Sequence, residues 1–83
     1  MDISPLGVVS RLDLAAFVAK LQSDLAIHPE GWENANLPSF LRALSAYLED
    51  IDGWCKNMAP EVDSDRASWQ LFAIALVGAR VYE

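Results

Sequence analysis

One cysteine, one histidine, six basic residues, four glycines and four prolines are all that this 83-residue chain holds of the groups used for covalent staples, general bases, anion binding and tight turns. Each shortage excludes something. Cys55 alone cannot close a disulfide within the chain, so no staple supports the fold and a reducing compartment is expected. Six Lys and Arg against twelve Asp and Glu give a net charge of −6. That balance opposes nucleic acid backbones and anionic lipid, which both demand clustered cations. Scarce Gly and Pro argue against disorder and against a turn-rich β fold. No apolar run approaches the ~18 residues that cross a membrane. The start, Met1-Asp2-Ile3-Ser4-Pro5, lacks the basic segment and long apolar core of a signal peptide. The expectation is a cytoplasmic protein with neither a membrane nor a nucleic acid as partner.

What is present is apolar. Hydrophobic residues make up 53% of the chain, including three Trp, three Phe and two Tyr. The length allows one domain, residues 1–83, burying roughly 60–65% of the surface of the unfolded chain. So much apolar material in so small a core suggests that some surface is buried in another chain. The acidity permits a basic protein partner, or it keeps a greasy domain in solution.

Periodicity predicts an all-α bundle of about three helices, near residues 10–27, 36–58 and 66–82. Ser10 and Asp13 form a short capping box, with Val9 and Leu14 placed as a hydrophobic staple. Leu14, Val18, Leu21 and Leu25 then line one stripe, with Phe17 beside it. His28-Pro29 ends this helix, because the residue before a proline is pushed out of the α region. Asn36 caps the second helix, and Pro38 is tolerated in its first turn. Leu37, Leu41, Leu44, Leu48, Ile51, Cys55 and Met58 alternate four and three apart and predict its core seam. Phe40, Tyr47 and Trp54, seven apart, form an aromatic flank. Gly53 costs about 1 kcal/mol in a helix interior and marks either a close approach or an open outer face. The third helix is apolar almost all round from Trp69 to Ala79, with Gln70 its one polar side chain. Such a helix is buried on every side, so the connections or another subunit must cover it. Connections of eight to ten residues are long for a bundle and should pack on the body.

Trp32-Glu33-Asn34, Leu37-Pro38 with Phe40-Leu41, Glu49-Asp50-Ile51-Asp52-Gly53-Trp54 with Asn57, Ser68-Trp69 and Ala79-Arg80-Val81-Tyr82-Glu83 together resemble a family of short bacterial proteins of unknown function. The resemblance covers about residues 8–83. It implies a cytoplasmic bacterial protein ending at Glu83, and brings no activity or catalytic residue. A toxin-immunity role is an analogy with other small acidic proteins.

No catalytic, cofactor or metal constellation emerges. His28 has no neighbouring nucleophile or orienting partner. Cys55 on the seam predicts an inert buried thiol. Glu61, Asp63 and Asp65 alternate, but Arg66 and Phe72 stand where a calcium loop needs Gly and Glu. Asp50 is more informative, because Tyr47 and Trp54 lie one turn away on either side. It forms either an ion pair with Arg80, the one base of the third helix, or a recognition patch with Tyr47 and Trp54 that Trp32 could join. The function expected is a non-enzymatic protein-interaction module, self-associating through the third helix or binding a protein such as a basic toxin. The alternative is a small-molecule-binding domain with a cleft near Trp32, Asp50 and Arg80.

Overall fold

The computed structural model describes residues 4–82. Met1–Ile3, part of the amino terminus read above for a signal, and Glu83, the end of the family-like pattern, lie outside them. The fold is an all-α bundle of three helices: α1 Arg11–Ile27, α2 Leu37–Met58 and α3 Trp69–Ala79. Single 3-10 turns at Pro5–Gly7 and Pro29–Gly31 precede α1 and α2.

The helix starts follow the caps. Ser10 Oγ accepts from the Asp13 N–H at 3.1 Å, and Asp13 accepts in return from the Val9 N–H at 3.1 Å. Asn36 Oδ1 accepts from the Ser39 N–H at 3.0 Å, and Ser68 Oγ from the Leu71 N–H at 3.0 Å. Each satisfies a backbone donor that a first helical turn leaves unpaired. The staple is displaced by one residue, since Val8 is buried while Val9 is 69% exposed. The chain enters Ser10 in an extended conformation, which turns adjacent side chains to opposite sides.

The third helix is shorter than residues 66–82. Asp63 holds the chain in a turn instead, its side chain accepting from the Asp65 N–H at 2.9 Å and its carbonyl from the Arg66 N–H at 3.1 Å. The helix therefore waits for the cap at Ser68.

α3 is the common partner, packing against α1, α2 and the N-terminal turn. Two apolar clusters meet on it. Leu14, Phe17 and Leu21 of α1 join Val8 and Ala73 in one, and Tyr47, Ile51 and Cys55 of α2 join Ala59, Val62, Ile74 and Ala75 in the other. Both connections pack on the body as expected, the first through Trp32 and the second through Ala59 and Val62. Gln70 donates to the Leu6 carbonyl and ties the N-terminal segment across α3.

The packed face of α2 differs from the predicted seam. Ile51 and Cys55 are buried, but Leu37, Leu41, Leu48 and Met58 are exposed, and Ala43 and Tyr47 take their place in the core. The face is rotated toward the aromatic flank. One reason is a close approach: at Gly78 a Cβ would fall inside the Tyr47 ring. The missing side chain lets that ring lie on the α3 backbone. Gly53 has open space around it and occupies the outer face.

Candidate functional site

The end of α3 is gripped by the first connection. Asn34 donates from Nδ2 to the carbonyls of Ala79 at 2.9 Å and Tyr82 at 2.8 Å, and its backbone N–H donates to the Arg80 carbonyl at 3.0 Å. A helix end leaves its last carbonyls without partners, and one asparagine here serves three of the carbonyls at and beyond that end. Trp32 Nε1 donates to Asp24 Oδ2 at 2.8 Å, and the Arg80 guanidinium reaches the same oxygen at 3.3 Å. Arg80 also lies 5.8 Å from the centre of the Trp32 ring, within cation–π range. The hydrogen bond from Trp32, then the charge of Arg80, holds the Asp24 carboxyl below its ordinary range against the opposing effect of burial.

The Asp50–Arg80 pair therefore does not form. Asp24 at the end of α1 lies beside Arg80, whereas Asp50 accepts a hydrogen bond from the Tyr82 hydroxyl. That bond raises the Tyr82 phenol above its usual value. The Tyr82 ring sits 5.0 Å from the buried Tyr47 ring, and burial also pushes Tyr47 upward. Trp54 is half-buried against the same cluster. The five residues singled out from the sequence thus divide between two places. Trp32 and Arg80 close the α1–α3 end, while Tyr47 and Trp54 pack against α3 and Asp50 stays exposed beside them, bound by Tyr82. Among the described residues Asp50 and Arg80 are not brought together, so the cleft expected near Trp32, Asp50 and Arg80 does not form there. Cys55 is buried, with its thiol raised by burial and then by Asp52, an environment that keeps it protonated and inert. His28 Nδ1 lies 3.6 Å from Glu30 at the surface.

An apolar concave feature lies elsewhere. A groove of about 550 Å³ runs between α1 and α2, with α3 as its floor. Val18, Leu21 and Leu25 form one wall, Leu37 and Phe40 the other, Phe72 and Leu76 the floor, and Trp32 closes one end. The Trp32 and Phe40 rings stack there, 6.1 Å apart. Its polar lining is Gln22, Asn34 and Asn36, and none of the lining residues is charged. Phe72 remains 51% exposed and Leu37 67% exposed.

The chain belongs to the family of unknown function DUF7660, which it matches over residues 10–83. No curated protein and no solved structure matches it.

The matched span takes in all three helices, the grip on the end of α3 and every wall of the groove. Phe72, Leu76, Val18, Leu37 and Phe40 were not among the site residues read from the sequence. Their signal was present in another form. The apolar surplus of the third helix announced an uncovered side, and the leucine seam of the second helix was more apolar surface than the core takes.

Proposed function

We propose that this chain is a non-enzymatic protein-interaction module whose docking surface is the groove between α1 and α2. The observation that carries the reading is an apolar, uncharged groove of about 550 Å³ with half-exposed aromatic and aliphatic side chains at its floor and rim. Contiguous exposed apolar surface rimmed by polar groups marks interaction sites, because leaving it in water is unfavourable. The absence of an enzymatic role is supported by how the acidic groups with named partners are engaged. Asp24 is held by Trp32 and Arg80, and Asp50 accepts from Tyr82, so both carboxylates are engaged within the fold. The narrower reading, an antagonist of a basic toxin, draws on the net charge of −6 alone and not on the uncharged groove.

The test uses Phe72→Glu, which places a charge on the groove floor at a half-exposed position. Proteins retained by the immobilised wild-type chain should be lost from the variant while its circular dichroism is unchanged. Retention of the same proteins by both would overturn the reading.

One observation favours a second reading. The groove volume lies within the 300–1,000 Å³ of small-molecule sites. An apolar ligand seated there would raise the melting temperature of the wild type and leave that of Phe72→Glu unchanged.

A further inference from the structure

We infer that the occupant of the groove is a second copy of this chain, seated by the exposed leucine ridge of α2; the inference rests on the groove being a docking surface. Four observations select a second copy.

The groove and a ridge that could fill it lie side by side. Leu37 lines the groove, and Leu41, Leu44 and Leu48 follow it at four, seven and eleven residues along α2. Helical geometry stacks them on the same side. Leu41 is 52% and Leu48 51% exposed, so they project where the groove recedes. A two-fold interface uses the same patch on both chains, so that patch must hold both a projecting and a receiving element. This one does. The ridge of each copy enters the groove of the other.

The spacing is the second observation. Alternation of four and three is the pattern by which one helix packs its knobs between those of another. Within the chain α2 buries Ala43, Tyr47, Ile51 and Cys55 instead, with Leu44 packed partly against them, which leaves Leu37, Leu41 and Leu48 for an outside helix.

Charge is the third. Two chains of net charge −6 repel each other. The groove is a face that brings no charged lining residue to the contact. A partner chosen for basicity would instead need carboxylates in the lining.

The last is area. Val18, Leu37, Leu41, Leu48 and Phe72 are each 44–67% exposed, and together they bare on the order of 500 Å² before the groove walls are counted, against the ~800 Å² that each partner gives to a standard interface. The groove walls add to that area, so the side chains of this one face supply more than half of what such an interface needs.

The mass in solution decides. Light scattering on the full chain at ~100 μM, where a micromolar dimer would be nearly complete, should give twice 9.1 kDa. The double variant Leu41→Glu with Leu48→Glu should give the single-chain mass with unchanged helical circular dichroism. Met58→Glu, at a residue more exposed than either leucine but at the far end of α2, should stay dimeric. A wild type of single-chain mass overturns the inference, and so does a dimer that survives the double variant. Neither result touches the docking reading, which falls separately if Phe72→Glu keeps every protein that the wild type retains.

Discussion

The two edges of α2 carry comparable apolar material and meet opposite fates. Along one edge Tyr47 is buried against Gly78 and Tyr82, and Trp54 is half-buried beside it. Along the other Leu37, Leu41 and Leu48 stand more than half exposed. Hydrophobicity alone does not decide which edge is core. The neighbouring helix decides, by offering a backbone low enough for a large ring to lie on. α3 offers it at Gly78, and the helix rotates to use it.

The largest contrast should appear on truncation. Tyr47→Ala removes a buried ring and should cost on the order of 3–5 kcal/mol. Leu48→Ala removes a half-exposed side chain and should change the stability of the single chain by less than about 0.5 kcal/mol. Denaturant melts of the two variants, made at concentrations low enough to hold single chains, measure both. Equal losses would mean that the two edges are packed alike.

Gly78→Ala tests the reason for the rotation. In an ordinary helix interior the change would gain about 1 kcal/mol. Here the new Cβ meets the Tyr47 ring, and the overpacking should cost about 1–3 kcal/mol instead. Combining it with Tyr47→Ala should remove the clash, so the double variant should be less destabilised than the sum of the single ones. Additive losses would show that the ring and the glycine are independent.

Asn34→Ala extends the comparison to the end of α3. It strips hydrogen bonds from the Ala79 and Tyr82 carbonyls, one of them belonging to a fully buried residue. The expected loss is about 1–3 kcal/mol. Amide exchange should accelerate first at the last turn of α3, leaving the contacts of α1 with Ala73 protected.

Local signals were readable in the chain and rotational ones were not. Ser10 and Asn36 announce helix starts because a cap is a contact within one turn, and Ser68 caps in the same way although the third helix was expected from residue 66. His28-Pro29 announces an end for the same reason. The apolar surplus of α3 could be read as a side left uncovered, since it depends only on counting apolar directions. The packed face of α2 could not be read, because Leu44 and Tyr47 are equally apolar until Gly78 is known to lie opposite. Asn34 was one residue of a family-like pattern, and its partners lie 45 and 48 residues away. The Arg80 partner was misassigned for a related reason. Asp50 stood out among aromatics, whereas Asp24 was not singled out. The groove needed all three helices in place before its walls faced each other.

The acid limb of stability offers the smallest and most selective test, since it isolates the α1–α3 end from both edges of α2. Asp24 has a folded value below its ordinary 3.8, through the Trp32 hydrogen bond and then the Arg80 charge. Between the lowered and the ordinary value the unfolded chain binds the proton more readily, so stability rises with pH across that window. The contribution is complete above the ordinary carboxylate range and is lost as pH falls through the lowered folded value. Asp24→Asn removes this titration. Its melting temperature should fall short of the wild type at neutral pH, and the gap should narrow as the solution is acidified below about pH 4. At neutral pH the variant should also shift Trp32 fluorescence, because the indole then donates to a neutral oxygen with no ion pair behind it. A gap that stays constant with pH would assign the acid limb to other carboxylates and leave Asp24 as a hydrogen-bond acceptor whose charge is immaterial.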